Sequence, residues 1–212
     1  MEISPLEMNM VAEYITVRQL RDQFNLQRTE DEQFFREWQD DLPELTDLEK
    51  QLLDEVNSDY RYLSESIMLE VIVKMVVLSP LLRLAGFYRP PFDITAEKEI
   101  NISSFDEETI IKGRIDILIF QPSFWVTVIE TKRTQYSLEA GIPQALAYML
   151  SNPQPDKPVL GFVTNGGEYR FLKLTKEITP KYAQSDLFSI DSRNDLYTVL
   201  RVLKRMVQLV SQ

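Results

Sequence analysis

Apolar residues recur at helical spacing over residues 9–25 (Val11, Tyr14, Ile15, Val17, Leu20, Phe24), the stripe of a helix that buries one face. Thr29-Glu30-Asp31-Glu32 reads as an N-cap with acids in the first turn, leading a helix through Phe34, Phe35 and Trp38. Thr46-Asp47-Leu48-Glu49 is a capping box ahead of a helix through Leu52, Leu53 and Val56. A longer helix is expected to start near Ser64-Glu65, pass through Met68, Leu69, Ile72, Val73, Val76 and Val77, be disturbed at Pro80 and end at Gly86. It is apolar on more than one face and is therefore expected to be buried. Arg89-Pro90-Pro91 then forces an extended connection.

From there the period switches to two. Residues 94–102, 110–120 and 124–132 read as three consecutive strands, and the short links between them make an antiparallel meander. A helix follows over 137–150, with Pro143 near its start. Val159–Thr164 is a continuous apolar strand, Asn165-Gly166-Gly167 has hairpin-turn chemistry, and residues 168–174 form the return strand. A last helix is expected from Asp191 to about residue 210. This order of elements predicts an α/β fold with a mixed central sheet flanked by helices.

Charge divides the chain. The net −10 over 212 residues argues against a nucleic-acid partner, because phosphate contacts hold most such complexes together. Residues 1–60, however, carry 5 basic and 16 acidic residues, a net of −11, and residues 61–212 carry 18 and 17, a net of +1. The expected organisation is an acidic helical N-terminal extension (1–60) followed by the main domain (61–212). The extension could mask a cleft by imitating phosphate charge, dock a partner, or serve as a solvated cap. Arg193, Arg201, Lys204 and Arg205 near the C-terminus read as a solvated helix face.

Cys and His are absent, so any catalysis must run on carboxylates, Lys, hydroxyls and hard metals. No basic region precedes an apolar one at the N-terminus, and the apolar run from Ile67 to Leu82 is broken by Glu70 and Lys74. A cytoplasmic location without a membrane partner is the expectation.

The candidate chemistry lies in Gly113-Arg114-Ile115-Asp116 on one strand and Glu130-Thr131-Lys132 on the next. Alternation puts Glu130 and Lys132 on the same face of their strand. Asp116 and Glu130 suit Mg2+ as hard oxygen ligands, with Mn2+ as a substitute and the Thr131 carbonyl as a third ligand. Lys132 could orient a metal-activated water or stabilise developing negative charge, which together describe a phosphodiesterase. Gly113 is read either as a bulge or turn residue or as a point where a ligand approaches closely. Gln144 and Tyr148, four apart on the following helix, share a face and could reach the site mouth. Arg114, Arg133 and Tyr148 are candidate DNA contacts, with Lys112 also flanking the acidic cluster.

Asp116, Glu130-x-Lys132 and Gln144-x-x-x-Tyr148, preceded by a Glu-bearing helix, resemble the PD-(D/E)XK nuclease superfamily. With Ser79-Pro-Leu-Leu-Arg-Leu-Ala-Gly86 and Val163-Thr-Asn-Gly166 added, residues 64–175 are similar to the N-terminal nuclease domain of type I restriction enzyme R subunits. The resemblance implies a restriction-endonuclease-like core and metal-dependent DNA cleavage. It implies Asp116 and Glu130 as Mg2+ ligands, Lys132 as the catalytic lysine and Gln144 as an accessory residue. It also implies a helical Glu: Glu70, ten residues before Pro80, is preferred to Glu65, which follows Ser64. Asp116 follows Ile115 where the motif usually has Pro. No Gly-x-x-x-x-Gly-Lys-(Ser/Thr) phosphate loop occurs, so either the chain is a stand-alone nuclease or other chains supply motor and specificity, and cutting both strands would favour a homodimer. The alternative is a catalytically inactive module of the same fold that binds nucleic acid or a partner protein.

Overall fold

The computed structural model describes residues 8–103, 109–121, 124–131 and 137–210. Its spine is β4 (Thr109–Gln121), paired antiparallel along one edge with β3 (Asp93–Ser103). The other edge of β4 is divided. β1 (Met8–Val11) runs parallel to Thr109–Lys112, and β5 (Phe124–Thr131) runs antiparallel to Ile117–Gln121. Gly113–Asp116 lies in the gap between those two partners. After Ile129, the final residues of β5, Glu130 and Thr131, pair with Val163 and Thr164 of the parallel strand β6 (Val159–Thr164).

The sheet continues through β7 (Glu168–Thr175) and β8 (Lys181–Gln184), each antiparallel to its predecessor. It ends with β2 (Gln27–Arg28), parallel to β8, while β9 (Phe188–Ser189) pairs with the start of β7. The expected mixed sheet and its β3–β4–β5 meander are therefore present.

Helices cover both faces. On one side α2 (Asp47–Ser64), α4 (Ser79–Ala85) and α6 (Asp195–Val210) enclose a core of Leu53, Leu82, Phe162, Phe171, Leu200 and Met206. On the other, α1 (Val17–Phe24) and α5 (Ile142–Leu150) enclose Leu20, Ile111, Ile115, Leu146 and Val163. Phe162 and Val163 entering opposite cores, like Phe171 and Leu172, is the period-two alternation of a sheet buried on both faces.

Strand β4 breaks that alternation at one place. Ile111 and Ile115 face the α5 core, whereas Ile117 and Ile119 belong with the α6 core. The strand thus rolls over at Asp116, between the β3 pairings Lys98↔Ile115 and Ala96↔Ile117. Across from it Glu97 has a left-handed φ of 54°, a conformation that costs a non-glycine residue about 1 kcal/mol.

Several helical expectations need correction. The stripe at 9–25 is a strand, a single 3-10 turn (Ala12–Tyr14) and the shorter α1, because Thr16 and Gln19 form a capping box that starts the helix at Val17. Residues 30–40 form turns: Thr29 Oγ1 accepts from the Asp31 N–H and Asp31 Oδ1 from the Gln33 N–H, local bonds that compete with a helix. The Thr46–Glu49 capping box is present and starts α2.

Ser64-Glu65 ends α2 and starts nothing; α3 (Glu70–Val73) begins five residues later and passes through a π-helical turn (Lys74–Leu78) into α4. Pro80 has no N–H for the carbonyl four residues earlier, so the widened turn precedes it and Pro80 sits in the first turn of α4. The last helix starts at Asp195 and not Asp191, since residues 190–194 form turns, with the Ser192 N–H bonded to the Ser189 carbonyl.

The first sixty residues supply two strands of the sheet and side chains to both cores, Leu20 and Phe24 on one face and Phe35, Leu45, Leu53 and Val56 on the other. Four of their acids, Asp41, Glu44, Glu49 and Asp54, turn to α6. Arg201 donates to the carbonyls of Leu42 and Pro43 and pairs with Glu44, Lys204 lies 2.5 Å from Glu49, and Arg205 pairs with Asp41. The basic face of α6, expected to be solvated, is thus a clamp for residues 41–49.

Candidate functional site

Two elements bring polar side chains together where β4 rolls over. The first is α3, where Glu70 opens the helix and Lys74 follows one turn later, so both side chains lie on one face. Lys74 Nζ donates to Glu70 Oε1 at 2.7 Å and to Asp116 Oδ1 at 2.8 Å. Burial works against the Lys74 charge, but the bonds to Asp116 and Glu70 outweigh it and hold its pKa above the ordinary lysine value.

The position of α3 is fixed from below by the β6–β7 turn. Gly166 has a left-handed φ of 89°, and a Cβ there would fall 3.1 Å from both Tyr60 of α2 and Val73 of α3. Asn165 Oδ1 accepts from the N–H groups of Gly167 and Glu168, which ties the turn to its own side chain.

The second element is α5, with Gln144 and Tyr148 on the face toward β4. Tyr148 is 1% exposed, and its Oη accepts from Gln144 Nε2 at 2.6 Å and from the Arg114 N–H at 3.3 Å. Gly113 allows this contact. A Cβ there would lie 2.6 Å from Ala12 Cβ and 2.8 Å from Tyr148 Cε1. The Tyr148 ring makes a close approach that this glycine permits, and its place within β4, paired with Ile100, corrects the bulge or turn reading. In the stretch of β4 between its β1 and β5 pairings, a tyrosine hydroxyl thus accepts the Arg114 N–H.

Above these groups opens a cleft of about 630 Å3 lined by Glu70, Lys112, Arg114, Asp116, Gln144 and Tyr148, with Glu13 and Glu99 among the other lining residues. Arg114 pairs with Glu97 at 3.4 Å, both exposed. Of the expected site residues, the structure gathers Glu70, Arg114, Asp116, Gln144 and Tyr148. Glu65, the other candidate for the helical acid, is exposed at the end of α2. Glu130 and Thr131 close β5, their backbone beside β6 where β5 has left β4; Lys132 and Arg133 lie outside the described residues.

Lys74 is the functional candidate that motif reading passed over. Its signal was present, as one of two charges a helical turn apart in an apolar run. Among the described residues no three acids gather as a metal site. The donor chemistry nevertheless fits a hard cation: two carboxylates already converge on one positive group. No helix among the described residues is long and apolar enough to cross a membrane.

Comparison with known proteins bears on this arrangement. A family model described as the type I restriction enzyme R protein N terminus matches residues 7–179. A solved chain described as a fragment of an HsdR subunit of a type I restriction enzyme from Vibrio vulnificus YJ016 is similar at 22% identity, with a TM-score of 0.38. The match covers 63% of this chain and 25% of that one, so this chain spans about a quarter of the length of the solved protein. No curated protein matches.

Proposed function

The chain belongs to the type I restriction enzyme R protein N-terminus family, and from that premise we propose that it is a Mg2+-dependent DNA endonuclease of restriction type. The observation that carries the reading is the convergence of Glu70 and Asp116 on one cation, in a cleft also lined by Lys112 and Arg114. Asp116, Glu130 and the Thr131 carbonyl would hold the metal, with Mn2+ as a substitute. When bound, Mg2+ lowers the pKa of a water and offsets charge on the scissile phosphate.

The chain's own groups do the rest. Lys132 orients the attacking water or stabilises the negative charge that develops as the phosphodiester is cut. Arg114 and Arg133 meet backbone phosphates, the contacts that set register on a duplex. Gln144 orients Tyr148, and Tyr148 holds the Arg114 backbone, so this pair keeps the Asp116 strand in place. Target recognition and translocation would be supplied by specificity and motor subunits, and a homodimer would supply two sites for two strands. The setting would be the cytoplasm.

The test is cleavage of plasmid and linear DNA by the purified chain. Mg2+ should be required, and Asp116→Ala and Lys132→Ala should each lower the rate by about a hundredfold or more with unchanged circular dichroism. Absence of metal-dependent cleavage on supercoiled, linear, branched and single-stranded DNA would overturn the reading. Retained DNA binding without cleavage would favour the inactive binding module.

A further inference from the structure

Lys74 is held where a site ligand would have to compete with it. Its Nζ bonds Oδ1 of Asp116, a carboxylate that would hold the metal, and it also bridges to Glu70 Oε1. The three side chains are mostly covered, at 24% exposure for Lys74, 17% for Asp116 and 36% for Glu70. Without a cation between them two such carboxylates would repel, because water screens a covered pair poorly. An arginine here would engage the acids as a rigid fork, whereas a lysine offers one point charge on a flexible stem that can swing away.

We propose that Lys74 is an internal counter-ion of this site, holding Glu70 and Asp116 together when no divalent ion is bound and releasing Asp116 when one binds. The inference rests on the reading of Asp116 as a metal ligand. It makes Lys74 a positioning residue that sets the metal concentration at which the site fills. Because Lys74 opens the π-helical turn, its release also gives α3 a way to respond to occupancy.

Calorimetric titration of Mn2+ into the full chain tests this apart from DNA cleavage. Lys74→Met should bind Mn2+ about tenfold more tightly than the wild type, since the metal no longer displaces an ammonium. Lys112→Met, which removes a cleft charge that does not bridge these acids, should change affinity much less; equal gains in the two variants would reduce the effect to net charge and overturn the proposal. Without metal, Lys74→Met should melt below the wild type and regain more stability on Mn2+ addition. If it does not fold without metal, Lys74→Gln carries the same comparison. Wild-type binding that Lys74→Met does not tighten overturns this proposal and leaves the nuclease reading standing. No binding in either protein overturns both. Tighter binding in the variant with no DNA cut by the wild type sinks only the nuclease.

Discussion

At the scale of single residues, the site depends on one absent methyl group and one hydroxyl. Gly113 lets the Tyr148 ring lie against β4, and Tyr148 Oη accepts from both Gln144 and the Arg114 backbone. Gly113→Ala would push a methyl into Ala12 and Tyr148 at distances no packed pair tolerates. It should destabilise the fold by about 2 kcal/mol in urea unfolding and lower cleavage by moving Asp116. Tyr148→Phe keeps the ring and removes the shared acceptor, so it should cost about 1–2 kcal/mol. An unchanged unfolding midpoint in both variants would mean that this contact does not hold the strand. Gln144 and Tyr148 were legible in the sequence as a helical pair on one face. Their target was not, because only the fold sets Gly113 beneath the tyrosine.

Among the elements, the clamp between α2 and α6 turns charge into packing. Glu49 serves two partners, capping α2 through Thr46 and pairing with Lys204. Partial burial disfavours its charge, but Lys204 and the Thr46 donors outweigh that and hold its pKa below the ordinary glutamate value. A depressed carboxylate contributes stability above its unfolded pKa and loses it as pH falls through the folded one. Glu49→Gln should therefore cost about 1 kcal/mol at pH 7. The gap between variant and wild type should start to close below about pH 5 and keep closing beneath the ordinary value of about 4.3. A gap that does not vary with pH would assign the loss to the cap and not to the ion pair. The capping box was legible because it is local, within four residues. Its partner Lys204 lies 155 residues away in sequence, and that distance is why the basic face of α6 read as solvated.

For the whole molecule, the question is whether residues 1–60 can be separated from the rest. β1 pairs along the β4 edge that ends at Gly113, and Leu20, Phe24, Leu26, Leu53 and Val56 are buried in the two cores. Burying each such side chain stabilises by about 1.5–3 kcal/mol, so their joint loss is comparable to the whole stability of a domain of this size, about 5–15 kcal/mol. A chain starting at residue 61 should therefore show no cooperative thermal transition by calorimetry and no near-ultraviolet circular dichroism. A native-like transition in that truncation would establish the boundary at residue 60. Asp41, Glu44 and Glu49 are turned to α6 and do not line the cleft.

Local pattern alone determined the three-strand meander, the β6–β7 hairpin, the capped α2 and the α/β class, because spacing, caps and turn residues act between neighbours in the chain. Helix α5, expected from residue 137, begins at Ile142, after a separate 3-10 turn at Leu138–Ala140. Local pattern also marked Asp116, Gln144 and Tyr148 as candidates, since polar groups in apolar elements stand out wherever they fall. Tertiary structure decided the rest. The two- to four-residue strands β1, β2, β8 and β9 are too short to show a period and exist through pairing with distant edges. Lys74 acquires its place only when α3 meets the roll in β4, and a sequence does not show which carboxylates, far apart along it, will share one ammonium.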